Sequence, residues 1–488
     1  MCILLPEITL GLGILAIIIV FSIWKKGQNY VTLSALAVLI ATLIACNLGA
    51  KPSEKLALWQ GLFIHDSLAY YTKSILTLGA LSILSSSYFE QKDFTFPMLE
   101  FNALVLLSIL GGFVTVSAGH MITVFLGLEL MYLPLYALVA MRKKHLQAQE
   151  AAIKYLIMGA LASAFLLYGA SLLYGVTGTM VLDNMETSLF NLMSVDVEWV
   201  EKLPLIDNYV IALVGTVMIL GAMLFKFGSM PFHIWVPDVY QGATHIAVAI
   251  IGALPKLVLV ILWTRLFGYQ GALAPMSEVW QLPVYVFGVG SIIYGNLLGL
   301  VQTKIKRLLA YSSISHMGYI LLALGMGSHI GIQSSLYYVC GYILVTITLF
   351  VTLAQLRKSG EEIVNIEDLK GLYSLHSGYA VVITVSLFSL IGIPPIIGFL
   401  MKMQLIMSLI EQNLQGIAIM AVFGSVLGAY YYLNIIQLML FHQPEENANV
   451  LHAHSSWGVS GLLGFTTICL IGLSLKPQVL FELIQLMA

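Results

Sequence analysis

Five charged residues occupy stretches that are otherwise apolar enough to cross a membrane: Glu129, Lys154, Lys226, Lys256 and Lys402. A charge at the bilayer centre costs about 2.5–3.5 kcal/mol even on insertion scales, so such residues face protein or water and mark ion or proton pathways. An amine can bind and release a proton there, because burial favours its neutral form and a nearby carboxylate favours its charged form. The pattern therefore predicts a proton conductor.

The local sequence places four of these charges deep in the membrane. Glu129 has apolar neighbours for a full turn on either side, and Lys256 follows Pro255 near the middle of its stretch. Lys226 precedes a helix break, and Lys402 lies about two helical turns from the nearest loop. We predict proton-carrying roles for all four, against the alternative that the lysines reach from helix ends to the membrane surface.

Four further residues are candidate relay positions, each with a plainer alternative. Lys154 lies close to Glu150, so an i,i+4 ion pair at the membrane interface competes with a relay role. His316 lies among serines, where helix packing and proton relay are both open. His233 and His245 flank the connection between the seventh and eighth predicted spans and could admit cytoplasmic protons or line a surface.

Composition places the chain in lipid and excludes several classes of function. The 488 residues are 59% hydrophobic and 9% charged, whereas about a quarter of residues are charged in soluble domains. The net charge of −2 excludes the basic surface of a nucleic-acid-binding protein. The four cysteines form no C-x-x-C pair, and the nucleotide motifs G-x-x-x-x-G-K-[ST] and G-x-G-x-x-G are absent from the sequence. We expect no metal or cofactor in this chain, so an ion gradient or partner subunits must supply the energy.

Hydropathy predicts an all-α polytopic membrane protein with about 14 transmembrane helices of roughly 20 residues each. The spans are centred near residues 13, 40, 77, 108, 130, 162, 218, 256, 290, 317, 343, 393, 428 and 466. The apolar run from Ile3 to Trp24 follows no basic region, so it is predicted to be a retained helix rather than a cleaved signal.

Loop charge predicts that both termini lie outside, because cytoplasmic loops carry an excess of lysine and arginine. One alternate set of loops is rich in cations: Lys25, Lys26, Lys92, Arg142, Lys143, Lys144, Lys304, Lys306, Arg307, Arg357, Lys358 and Lys370. The opposite set has fewer: Lys51, Lys55, Lys202, Arg265 and, at a span end, Lys73.

Glycine and proline interrupt two of the predicted spans. The seventh meets FGSMPFH at residues 227–233, and the twelfth meets GIPP at residues 392–395. Both should break at membrane depth, because proline removes a backbone donor and clashes with the preceding turn. Broken helices at corresponding places in two halves indicate two inverted five-helix repeats with the polar site at the breaks.

The predicted organisation has four parts, with an acidic amphipathic segment at residues 176–208 on the outer surface. They are three N-terminal helices (1–97), the first five-helix repeat (98–270), the second, inverted repeat (271–441), and a C-terminal helix with its tail (442–488).

Three segments resemble the antiporter-like membrane subunits of respiratory complex I, the NADH:quinone oxidoreductase. They are KFGSMPFHIWVPDVYQGA at 226–243, KIKRLLAYSSISHMGY at 304–319 and GIPPIIGF at 392–399. The motif PDVYQG at residues 237–242 resembles the N-type subunits of this family more than the L-type or M-type subunits. The resemblance implies that Glu129, Lys226, Lys256 and Lys402 carry protons, with Lys154 a weaker match. Where the family usually has prolines, this chain has Thr244-His245-Ile246, so His245 could replace a rigid turn with a titratable group.

The resemblance also implies partners that do the redox chemistry. NADH, flavin, iron–sulfur clusters and quinone are then expected in other subunits, and none in this chain. The expected partners are the other membrane and peripheral subunits of complex I, especially neighbouring antiporter-like subunits, in a bacterial inner membrane rather than a mitochondrial one. Two alternatives stay open: a subunit of a multisubunit cation/proton antiporter, and a structural scaffold whose charges only hold helices together.

Overall fold

The structure, a computed structural model, describes residues 2–24, 30–49, 52, 55–89, 97–143, 145–193, 205–358, 360–444, 451–453 and 457–487. In the first part of the chain the elements are α1 (Leu5–Ile23), α2 (Val31–Leu48), β1 (Leu56–Leu58), β2 (Phe63–His65) and α3 (Ser67–Phe89). Next come α4 (Met98–Val116), α5 (Met121–Ala140), α6 (Leu146–Thr177), α7 (Leu182–Met193), α8 (Leu205–Phe227), α9 (Trp235–Gly242) and α10 (His245–Phe267).

The second part continues with α11 (Ser277–Leu300), α12 (Ile305–Gly325), α13 (His329–Ala354), β3 (Leu356–Lys358), β4 (Glu361–Glu362) and α14 (Leu372–Leu375). It ends with α15 (Ser377–Ile391), α16 (Ile397–Glu411), α17 (Gln415–Phe441), β5 (Leu451–Ala453), α18 (Trp457–Leu475) and α19 (Pro477–Met487). The strands form two small antiparallel sheets, one of β1 and β2 and one in the order β4-β3-β5.

The described residues contain 12 helices long and apolar enough to cross a membrane, and each coincides with a predicted span. The other two predicted spans also fall on helices. The third is α3, which has 23 residues but is not among those 12 helices. The twelfth is divided between α15 and α16, with 15 residues each. The polytopic helical fold is therefore confirmed, and the count of fourteen stays a prediction.

Both predicted helix breaks are present. Helix α8 ends at Phe227, and Gly228 has φ +72°, a left-handed conformation that glycine adopts without steric cost. Helix α15 ends at Ile391, followed by Gly392 with φ +91°. A short second helix continues after each break, α9 in the first case and α16 in the second.

Three helices form the interior of the bundle. Helices α10 and α12 are buried along their whole apolar length and α13 along most of it, whereas α1 and α18 are largely exposed. Thr244 caps the start of α10 by accepting a hydrogen bond from the Ala247 amide (3.2 Å). Helices α10 and α12 each carry a candidate proton residue, Lys256 and His316, away from the lipid-facing surface.

The predicted four-part organisation stays a prediction, although the helix order is alike in the two proposed repeats. In each, the fourth helix is the interrupted one: α8 with α9, and α15 with α16. The amphipathic segment is present as α7, which buries Leu182, Met185 and Leu189 on one face. Residues 194–204 of that segment lie outside the described residues, as do six of the loop cations behind the predicted orientation: Lys25, Lys26, Lys51, Lys92, Lys144 and Lys202.

Candidate functional site

Glu129 on α5 and Lys226 on α8 are joined through a serine of a third helix. The Ser163 hydroxyl on α6 donates a hydrogen bond to Glu129 Oε1, and Lys226 Nζ donates to Ser163 Oγ at 3.3 Å. Lys226 Nζ also lies 4.4 Å from the ring centroid of Tyr132, a cation–π distance. Within the described part of the chain no direct ion pair links the two charges, so Ser163 is the connection between them.

Lys256 binds the backbone carbonyls at the first helix break. Its Nζ donates to the Phe227 carbonyl at 2.7 Å and lies 3.5 Å from the Lys226 carbonyl, both at the C-terminal end of α8. The last carbonyls of a helix have no partner within the helix and form the negative end of its dipole. Lys256 therefore satisfies carbonyl groups that the interruption leaves free.

Lys402 has the same arrangement at the second break. Its Nζ donates to the carbonyls of Leu390 and Ile391 at the end of α15, each at 2.9 Å, and to Ser425 Oγ at 2.9 Å. In a partly buried geometry a cation at a helix C-terminus is stabilised by up to about 2 kcal/mol. Both lysines hold their charge against an interrupted helix, so a movement of either break would change how well that charge is stabilised.

His316 is bonded through both ring nitrogens to buried phenols. Its Nδ1 lies 2.7 Å from the Tyr338 hydroxyl and its Nε2 3.4 Å from the Tyr432 hydroxyl. Its ring is 6.2 Å from that of Tyr319, over which Lys402 Nζ lies at 5.3 Å. A phenol both donates and accepts a hydrogen bond, so these contacts suit a proton relay as well as packing.

Five residues on helices α5, α8, α10, α12 and α16 are called the central chain below: Glu129, Lys226, Lys256, His316 and Lys402. The lysines and His316 are buried, and Glu129 is partly buried.

Lys154 lies apart from the central chain. Its side chain is 46% exposed, with Nζ 2.7 Å from Glu150 and 2.8 Å from Asp238. Asp238 also pairs with Arg307 at 3.0 Å, so the network joins α6, α9 and α12 at the surface. The predicted i,i+4 pair is present, and a relay role for Lys154 stays a prediction.

The surface interpretation of His233 and His245 is wrong, because both side chains are buried. His233 lies in the turn between α8 and α9, and its ring is 4.5 Å from that of Tyr294. His245 begins α10, fully buried, with Nδ1 3.2 Å from Glu362 Oε2. Their proton-admitting roles stay predictions.

Glu362 is a charged centre that the sequence did not single out. Four cationic or titratable side chains approach its carboxylate: Arg142 at 3.0 Å, His245 at 3.2 Å, Lys306 at 3.4 Å and Arg357 at 3.9 Å. Burial alone raises the pKa of a carboxyl, but the charges of Lys306, His245 and Arg142 hold the pKa of Glu362 well below its usual range. This cluster ties the hairpin of β3 and β4 to the ends of α5, α10 and α12.

A family model described as "NADH:quinone oxidoreductase/Mrp antiporter, TM" matches residues 118–428. The NADH-quinone oxidoreductase subunit N of Nitrosomonas europaea is 34% identical over 482 residues, which cover 98% of this chain and 96% of that protein. The chain belongs to this family of antiporter-like membrane subunits. The subunit N of Neisseria gonorrhoeae is likewise 34% identical, over 98% of this chain and 96% of its own length.

Two solved structures share the fold. A chain of respiratory complex I from Thermus thermophilus is 28% identical, with a TM-score of 0.77 and coverage of 98% of both chains. A chain of the Mrp complex from Dietzia sp. has a TM-score of 0.78 and covers 99% of this chain and 96% of that chain. Its identity is 20%, so this second likeness concerns the fold alone.

Ser163 is the site residue that sequence reasoning missed, although a signal for it exists. It is flanked by Ala160, Leu161, Ala162 and Ala164 in the middle of an apolar span. A serine at such depth signals a hydrogen bond between helices, because lipid offers it no partner. The lysine contacts with helix-end carbonyls had no comparable signal in the sequence, because every residue has a backbone carbonyl whatever its type.

We expect Ser163 to carry the energetic coupling between Glu129 and Lys226. A double-mutant cycle of Glu129→Gln and Lys226→Ala on pumping rate should give a coupling of about 0.5–3 kcal/mol. In a Ser163→Ala background the coupling should fall towards zero, because the hydroxyl that contacts both groups is gone. The matched control is Ser86→Ala, which removes a buried hydroxyl bonded to its own helix at Ile83 (2.7 Å). Simple additivity in the parent, or unchanged coupling in Ser163→Ala, would show that Ser163 does not connect them.

Proposed function

We propose that this protein is a proton-translocating membrane subunit of an NADH:quinone oxidoreductase and that the five residues of the central chain carry the protons. The observation that carries this proposal is the position of the buried lysines. Lys256 and Lys402 each bind the free carbonyls of a helix interrupted in the membrane, and Lys226 is connected to Glu129 through Ser163. Such interruptions are typical of transporters, whose ion sites lie at the broken helices.

Redox chemistry in partner subunits drives the transport. The sequence contains no nucleotide-binding motif and no cluster of cysteines, so NADH, flavin, iron–sulfur clusters and quinone belong to other subunits. This chain then has no redox reaction of its own. Its partners are the membrane and peripheral subunits of the complex, with neighbouring antiporter-like subunits beside it in a bacterial inner membrane.

A cation/proton antiporter subunit is the second candidate, since the family model covers both kinds of protein. The similarity to known proteins favours the subunit of an NADH:quinone oxidoreductase. Proteins named as subunit N are 34% identical over almost the whole chain, whereas the Mrp complex chain is 20% identical.

Replacing Lys256 by alanine tests the proposal. Lys256→Ala should lower the number of protons taken up per NADH oxidised in inverted membrane vesicles, because the path loses its member on α10. The complex should still assemble on a native gel. Lys476→Ala, at an exposed lysine between α18 and α19, is the matched control and should retain the parent ratio. A normal ratio in an assembled Lys256→Ala complex would remove Lys256 from the path.

A further inference from the structure

Three buried hydroxyl groups from three different helices meet between Lys256 and His316. Ser313 Oγ on α12 accepts a hydrogen bond from the Tyr240 hydroxyl on α9 at 3.2 Å and another from the Tyr342 hydroxyl on α13 at 2.9 Å. All three side chains are buried. They form a hydrogen-bonded set across the interior of the bundle, outside the charged residues and the histidine of the central chain.

Tyr240 brings this set to Lys256. Its hydroxyl lies against the backbone of Gly252 on α10, where a Cβ would stand 2.7 Å from the hydroxyl oxygen. Residues 252 and 256 are four apart on one helix, so they share a face, with about 5–6 Å between their Cβ positions. Glycine at 252 therefore lets the phenol approach the face of α10 that carries Lys256.

Ser313 and Tyr342 bring the set to His316. Ser313 and His316 are three apart on α12 and so lie on the same face. The Tyr342 and His316 rings are in contact, with centroids 5.4 Å apart. The set thus begins one helical turn from Lys256 and ends against the His316 ring.

We propose that Tyr240, Ser313 and Tyr342 form a hydroxyl bridge that carries protons between Lys256 and His316. This inference rests on the proton path proposed above and names the connection between its two halves. Without the bridge, Lys256 and His316 lie on separate helices with no shared hydrogen bond among the described residues. A hydroxyl suits this role because it accepts a proton on its oxygen while donating its own.

Transfer along the bridge leaves no charge behind. A proton from Lys256 binds the Tyr240 oxygen as the Tyr240 O–H bond breaks towards Ser313. Ser313 passes its own proton to Tyr342, and Tyr342 passes its proton to the imidazole of His316 after that ring turns towards it. Each O–H bond that breaks is replaced by a new one, and rotation of the hydroxyls resets the bridge.

The arrangement in the structure is one in which the bridge is interrupted. Both tyrosines donate to Ser313, so Ser313 cannot pass a proton to Tyr342 until the Tyr342 O–H turns away. Rotation of the Tyr342 hydroxyl therefore opens the step from Ser313 to Tyr342, and the step on to His316 also needs the imidazole to turn from Tyr338 or Tyr432 towards Tyr342.

Tyrosine-to-phenylalanine variants test the bridge, because they remove the hydroxyl and keep the ring. Tyr240→Phe and Tyr342→Phe should each lose the part of NADH-driven proton uptake that Lys256→Ala loses. The double variant should lose no more than either single variant, because groups that act in series are not additive. Hydroxyls that only stabilised packing would give losses that add. Tyr337→Phe is the matched control on α13, since the buried Tyr337 hydroxyl has no hydrogen-bond partner among the described residues, and it should pump like the parent.

The outcomes separate the bridge from the path on which it rests. If Lys256→Ala loses uptake while Tyr240→Phe and Tyr342→Phe both keep it, the bridge is wrong and the path stands. If Lys256→Ala keeps full uptake in an assembled complex, the path and the bridge are both wrong. Additive losses in the double variant would also overturn the bridge. Ser313→Thr, which retains a hydroxyl, should pump better than Ser313→Ala, and equal pumping by the two would contradict a role for that hydroxyl.

Discussion

The Lys226→Arg variant should assemble normally and pump protons as poorly as Lys226→Ala. Arginine retains the positive charge beside Ser163 and Tyr132, but its guanidinium does not release its proton in a protein. A proton carrier must release its proton in every cycle. We therefore expect flux through this chain to fall by roughly a hundredfold, the lower end of what a positioned proton donor contributes.

A buried lysine outside the central chain provides the matched control. Lys73 on α3 is also buried, with Nζ 2.5 Å from Glu7 Oε1 on α1, and its charge fastens two helices together. Lys73→Arg should keep normal pumping, because a structural ion pair needs the charge and not the release of a proton. Proton uptake and NADH oxidation are measured in the same inverted vesicles, with assembly checked on a native gel. Normal pumping by an assembled Lys226→Arg complex would favour a scaffold role for Lys226.

The elements that position the site could be predicted where local chemistry decides the structure. The breaks after Phe227 and Ile391 follow from glycine and proline within apolar stretches, and both are present. The burial of Lys256 follows from its apolar neighbours, whereas Glu129, with similar neighbours, is only partly buried. Helix α3 shows the limit of this reasoning, since it has 23 residues and packs against α2 and α4 but is not among the 12 helices apolar enough to cross a membrane.

The partners of the charged residues depend on tertiary structure and could not be predicted. Ser163 and Lys226 are 63 residues apart, and Lys256 and the Phe227 carbonyl are 29 apart. Nothing in the local sequence states that Lys256 will contact a helix end rather than a carboxylate. The pairing follows from the way α10 packs beside the interrupted α8.

The two histidines show the same limit. A loop position near the membrane surface suggests exposure, yet His245 begins a helix that is buried along its whole length. Glu362, 117 residues further along the chain, also contacts it. The loop cations Arg142, Lys306 and Arg357 also converge there. The number of cations in these loops is the basis for predicting that the loops are cytoplasmic. The structure shows that three of these cations also surround the Glu362 carboxylate.

Glu362→Gln should destabilise this cluster strongly. The Glu362 side chain is only 7% exposed, and its carboxylate is the acidic partner of Arg142, Lys306 and Arg357. Removing one partner of a buried ion pair costs about 3–5 kcal/mol, because the remaining charge stays buried without compensation. We expect a loss of that size in the local free energy of opening, measured by hydrogen exchange of residues 356–362 and 243–248 in the purified complex.

The same carboxylate predicts how that stability depends on pH. Because the pKa of Glu362 is held well below its usual range by Lys306, His245 and Arg142 despite its burial, its stabilising contribution is fully present above the unfolded-state pKa. That value is about 4.3 for a glutamate, and the contribution is lost as the pH falls from there through the folded-state pKa. The parent should therefore lose protection of these segments below about pH 4.3, whereas Glu362→Gln should lack this acid-dependent loss. Glu361→Gln, at the exposed neighbouring glutamate, is the matched control and should behave like the parent. Protection in Glu362→Gln equal to that in Glu361→Gln at neutral pH would mean that the cations are stabilised by solvent or lipid and not by Glu362.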